Sequence, residues 1–223
     1  SHTCTHGALG ALAWGIGASE VRHALATGTV IQRKPKTLNV KIDGQMNFGV
    51  VSKDIILNLI RREGVSAGDG FAIEFTGSAI KNFSIESRMT VCNMSIEMGA
   101  KIGLIAPDNK TFDFLSGKEF SPKGLMWESA IKNWQSLKSD EGAHFDKTIN
   151  LNVGEVFPQI SWGTSPEHTI DIDEAIPDPS KELDMQKRQA LEAAIRYTNL
   201  IPGKPIEGTA IDRVFIGSCT NAR

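Results

Sequence analysis

Leu38, Val40 and Ile42 alternate with polar neighbours from Lys36 onward, the period of a strand buried on one face. The Asp43-Gly44 dipeptide that follows is favoured in tight hairpins and predicts that this strand turns back on itself. Ile55, Ile56, Leu59 and Ile60 then share one helical face, with Ser52 as the expected N-cap, Asp54 in the first turn and Gly64 at the stop. Phe71, Ile73 and Phe75 alternate as the next strand. Strand and helix take turns, which predicts an α/β fold.

The same patterning places further elements. Val21 and Leu25 lie i, i+4 on a helix expected from about Ser19, after a Gly- and Ala-rich stretch from Gly7 that reads as a tightly packed helix entrance. Within it, Gly15-Ile16-Gly17-Ala18-Ser19-Glu20 lacks the third glycine of a phosphate-binding loop and has no strand before it. Helices are expected from about Ser84 to Gly99, from Gly124 to Leu137 on the spacing of Trp127, Ile131 and Trp134, and from Leu183 to Asn199. Thr148 to Val153 predicts a strand, and Arg213 to Gly217 a short buried one. Ser161 to Ser180, with Pro166, Pro177, Pro179 and the acidic Asp171, Asp173 and Glu174, reads as a surface connection.

Composition narrows the class. With 40% hydrophobic and 22% charged residues the chain can bury a core, so disorder is excluded. Its 24 Lys and Arg against 26 Asp and Glu leave no basic field for nucleic acid or anionic lipid. No apolar run approaches the roughly 18 residues of a membrane span, so the expectation is a soluble, cytoplasmic protein. The three cysteines Cys4, Cys92 and Cys219 are far apart and in no CxxC spacing, which argues against a disulfide scaffold. The chain opens inside one motif and stops inside another, without an initiator Met, which predicts an internal piece of a longer protein.

Three stretches carry candidate chemistry. In Met89 to Ala100 an apolar helix bears Asn93 and Glu97 four residues apart, hence expected one above the other. A buried carboxylate is costly without partners. Either the two form a satisfied core pair, or they face a polar cleft where Glu97 holds or deprotonates a water. In Phe215 to Asn221, Cys219 follows a Gly-Ser turn, an environment that favours a thiolate and fits a nucleophile, a metal ligand or a buried thiol. In Ser1-His2-Thr3-Cys4-Thr5-His6, polar groups run into a glycine-rich helix entrance, suited to holding an anionic substrate. His2 and His6 without a further ligand do not make a zinc site.

These three motifs in this order, with Lys138-Ser139-Asp140-Glu141-Gly142-Ala143 and Ser161-Trp162-Gly163-Thr164-Ser165-Pro166 between them, resemble the aconitase superfamily, and within it the large subunits of its isopropylmalate-converting branch. The resemblance implies three-layer α/β/α domains with mixed sheets. Residues 1–36 would end a first domain, 37–150 form a second, 151–210 connect and pack, and 211–223 begin the next. It implies a hydro-lyase interconverting 2-isopropylmalate and 3-isopropylmalate through isopropylmaleate in leucine biosynthesis, or a related enzyme acting on a tricarboxylic acid. It implies a [4Fe-4S] cluster whose iron acts as a Lewis acid, with Cys219 as first ligand and two more cysteines in a CxxC beyond Arg223. By the same resemblance Asn93 and Glu97 contact the reacting oxygen, and Ser1 and His2 belong to an Asp-Ser-His triplet. Cys4 and Cys92 are not cluster ligands. A separate small subunit, the swivelling domain, would complete the site.

Overall fold

The computed structural model describes residues 2–217. A 3-10 helix, His2–Leu9, opens the chain and is followed by α1 (Ala18–Thr27). Then β1 (Lys36–Asp43), α2 (Ser52–Glu63), β2 (Phe71–Thr76), α3 (Ser78–Asn82), α4 (Ile85–Asn93) and a 3-10 turn, Met94–Met98, lead to β3 (Ile102–Leu104). From there α5 (Asn109–Leu115) and α6 (Leu125–Gln135) precede β4 (Lys147–Asn152), and β5 (Gln159–Ser161), β6 (Thr169–Asp171) and α7 (Met185–Thr198) complete the order.

The first four strands form a parallel sheet in the order β3-β2-β1-β4. Leu38, Val40 and Ile42 of β1, Ile73 and Phe75 of β2 and Ile149 and Leu151 of β4 turn one face into the core, where they meet Ile55, Ile56, Leu59 and Ile60 of α2 and Val91 and Cys92 of α4. The α/β class expected from alternating periods is the one observed. The opposite face carries Asn39, Lys41, Glu74, Thr76 and Thr148. The connection from β3 to β4 passes over it, closing a crevice of about 820 Å³ beneath residues 138–143. Ser139 Oγ donates to Glu74 Oε2 at 2.7 Å across it. No helix among the described residues is long and apolar enough to cross a membrane.

Several local expectations are corrected. Asp43-Gly44 does not make a hairpin: β1 has parallel partners on both edges, β2 and β4, so no slot remains for a strand turning back. The Asp43 carboxylate instead accepts from Ser78 N at 2.7 Å. Ser52 is the first helical residue of α2 rather than its cap; Asp54 Oδ2 reaches back to Val51 N at 2.7 Å. The helix expected from Ser84 to Gly99 narrows to 3-10 winding at Met94, and Gly99 ends it with a left-handed φ of 82°. α1 forms, yet none of its residues is buried.

Residues 161–180 are more than a surface connection. β5 and β6 pair antiparallel, and Trp162, Ile170 and Ile176 make a second small core with Ala194 of α7. The acidic residues there have a partner, since Arg61 of α2 bonds both Asp171 (3.4 Å) and Glu174 (2.9 Å). Arg213 to Gly217 is neither strand nor buried: Phe215 is 91% and Ile216 93% exposed, the run having found no sheet edge or core to enter among the described residues.

Candidate active site

The opening 3-10 helix packs along β3 because Gly7 lets the backbones touch, while Gly103 of β3 leaves room on its other side for Ser95 and Cys92. A Cβ on Gly7 would lie 1.7 Å from Gly103 O. Gly7 O in turn accepts from Ile105 N at 3.0 Å, just past β3. Close approach occurs at Gly7 and Gly10; the tightly packed entrance expected before α1 is not found, since a Cβ at its N-cap Gly17 would meet nothing within 4 Å and α1 buries none of its residues.

The approach at Gly7 brings the stretch around Asn93 together with residues 2–6. Asn93, buried as the last residue of α4, donates from Nδ2 to Thr5 Oγ1 at 2.8 Å. Thr5 Oγ1 donates to the His2 carbonyl at 2.7 Å. Cys4 Sγ reaches Asn93 O at 3.4 Å. His2 itself is exposed, and His6 Nδ1 lies 2.9 Å from Thr3 O. Ser84 caps α4 by accepting from Ser87 N, which fixes where the helix starts and hence where Asn93 ends it.

Glu97 follows in the 3-10 turn. At roughly three residues per turn it is carried about a fifth of a turn further round than an α-helix would place it, so Asn93 and Glu97 are not strictly stacked. It is half-buried, and its Oε2 is buried with no hydrogen-bond partner. Burial raises the Cys4 thiol pKa, and the charge of the Glu97 carboxylate raises it further. Burial also pushes the Cys92 thiol far up. Both are free thiols and buried, the packing expected of them.

Ser1 and Cys219 lie outside the described residues. Among the described residues no group of three or more His, Cys, Asp or Glu could hold a metal ion.

Two features escaped the sequence reading. Thr5 joins His2 to Asn93, and only its position in a run of hydrogen-bonding residues signals it. Arg88 is completely buried in α4 and forms a bidentate pair with Asp108. An arginine immediately before Met89-Thr90-Val91-Cys92 offered only a weak signal.

The whole chain, residues 1–223, matches the model of the aconitase family (aconitate hydratase). The chain belongs to the aconitase family. Across all 223 residues it is 55% identical to the 3-isopropylmalate dehydratase large subunit 1 of Bradyrhizobium diazoefficiens, of which it covers 47%. It therefore spans about half the length of the curated relative it matches. In this aconitase-family chain Glu97 Oε2 is buried without a hydrogen-bond partner, four residues past an Asn93 whose amide donates to Thr5 and whose backbone carbonyl accepts from Cys4.

Proposed function

We propose that this chain is part of a large subunit of a hydro-lyase that interconverts 2-isopropylmalate and 3-isopropylmalate through isopropylmaleate in leucine biosynthesis. One observation carries the reading: in an aconitase-family chain, Glu97 Oε2, four residues past the anchored Asn93, is buried with no hydrogen-bond partner. A buried carboxylate oxygen left unpaired is unfavourable unless a guest completes it. The 55% identity to a relative named as a dehydratase large subunit supports the choice of substrate.

In this reading a base on the small subunit takes the carbon-bound proton, the protonated hydroxyl leaves as water, and Glu97 hydrogen-bonds that oxygen at Oε2 and takes a proton from water when it re-enters. Asn93 orients the same oxygen through its amide, His2 donates a proton to the departing hydroxyl from the exposed side, and Ser1 hydrogen-bonds the substrate. The orphaned carboxylate oxygen fits a protic guest, such as water or a substrate hydroxyl polarised by the family's [4Fe-4S] cluster. When bound, that cluster supplies one iron with open positions, a Lewis acid for a poor leaving group. Cys219 would hold it together with cysteines other than Cys4 and Cys92, which are buried away. A small subunit, implied by the relative's name as a large subunit, would complete the site, and the enzyme would work in the cytoplasm. The division at residues 36, 150 and 210 belongs to the same proposal.

The test is to produce the complete gene product anaerobically with its neighbouring small subunit and follow ultraviolet absorbance of the unsaturated intermediate. With 3-isopropylmalate, citrate and homocitrate in parallel, turnover confined to isopropylmalate is expected. Turnover only with a tricarboxylic acid would overturn the substrate assignment and leave the family standing.

A further inference from the structure

We infer that Thr5 is a positioning residue, whose hydroxyl sets the orientation of the Asn93 amide and ties it to His2. The inference rests on the proposed reaction for its importance, and on geometry for its content.

The direction of both hydrogen bonds follows from the partners. The His2 carbonyl can only accept, so at 2.7 Å the Thr5 hydroxyl proton points to it. The Thr5 oxygen then has only lone pairs left for Asn93. An amide nitrogen donates and an amide oxygen does not, so the contact at 2.8 Å must be Nδ2 to Oγ1. Turning the amide over would set two oxygens against each other. A hydroxyl commonly leaves such a choice open because it can rotate; here the carbonyl removes that freedom. The relay runs one way, from Asn93 N–H through Thr5 O–H to His2 C=O.

Its second effect is on the backbone. Thr5 sits on the 3-10 helix and Asn93 at the end of α4, 88 positions away in the chain. The bond, with Cys4 Sγ on Asn93 O, holds the segment bearing His2 to the segment bearing Glu97. Asn93 is 5% exposed, so no water replaces Thr5 easily if its hydroxyl is removed.

The experiment compares Thr5→Ser with Thr5→Ala in the complete two-subunit enzyme. Both lose the methyl group, and only Ser keeps the hydroxyl. Turnover number with isopropylmalate is expected within about threefold of wild type for Thr5→Ser and lower by about 10- to 100-fold for Thr5→Ala, with KM changing less. Equal turnover of the two variants would overturn the inference and assign Thr5 to packing. Crystal structures of both variants read the same point without substrate: Asn93 keeps its rotamer in Thr5→Ser and leaves it in Thr5→Ala. An unmoved Asn93 in Thr5→Ala overturns the inference even if the wild-type enzyme turns over no isopropylmalate, a result that would itself refute only the proposed reaction.

Discussion

Arg88 and Asp108 face each other through two parallel hydrogen bonds, Nη1 to Oδ1 at 2.8 Å and Nη2 to Oδ2 at 2.6 Å, with the arginine side chain fully buried and the aspartate 38% exposed. Asp108 also caps α5, accepting from Lys110 N and Thr111 N. One carboxylate therefore fixes α4, which carries Asn93, to the turn that follows β3.

Removing that carboxylate leaves a buried guanidinium without its counter-charge. Asp108→Ala is expected to destabilise the protein by about 3–5 kcal/mol, measured as a lowered midpoint of denaturant unfolding. A loss under about 1 kcal/mol would mean that water and the Lys81 carbonyl, which already accepts from Arg88 Nη2 at 3.4 Å, satisfy the guanidinium without Asp108.

The same pair sets a response to acid. Burial by itself raises the Asp108 pKa, but hydrogen bonds and charge from Arg88 outweigh it and hold the group below the usual carboxylate range. A depressed folded value means the stabilisation is complete above the unfolded carboxylate's pKa of about 3.9 and is lost as pH falls through the lower folded value. Thermal midpoints recorded downward from pH 5 should fall less steeply in Asp108→Asn than in wild type. Parallel curves would contradict this.

His168 supplies a response nearer neutrality. It stacks on Trp162 at 5.1 Å between ring centres, and its Nδ1 accepts from Thr164 N at 3.2 Å, which requires that nitrogen unprotonated. Burial lowers its pKa, with Glu167 opposing. A histidine depressed in the folded state contributes stability above the unfolded pKa of about 6.5, lost as pH falls through the folded value. Wild type should lose thermal stability between about pH 6.5 and 5, and His168→Gln should show a flatter profile there. Equal slopes in both proteins would remove His168 as the cause.

Gly7 tests the close approach that assembles the site. Its contact with Gly103 is steric, not conformational, so Gly7→Ala forces the 3-10 helix off β3. A loss of about 1–3 kcal/mol in thermal unfolding is expected, and turnover should fall with it because His2 moves away from Asn93. Unchanged stability would show that the segment can shift freely.

Much of the fold was legible in the sequence, because burial on one face imposes a period that single residues announce. β1, α2, β2 and β4 sit where Leu38, Ile55, Phe75 and Ile149 put them. Pairing partners were not legible: Asp43-Gly44 carries a local hairpin preference, and the two parallel neighbours that override it lie far along the chain. The Trp162 core was hidden by prolines that normally mark exposed loops, and α7 supplies the cover from 20 and more residues on. At the site, Asn93 and Glu97 stood out as polar groups in an apolar helix. Thr5 did not, since its role depends on a contact made only once Gly7 and Gly103 have brought two distant segments together.

Glu97 bears the central claim, and Glu97→Gln is the measurement that reaches it most directly, because it keeps the shape of the side chain and removes its proton-accepting charge. In the complete enzyme with its small subunit, the account predicts an unchanged visible absorption spectrum of the assembled protein and a turnover number lower by about 100-fold or more. Wild-type turnover in Glu97→Gln would contradict it and return Glu97 to a structural place at the end of its helix.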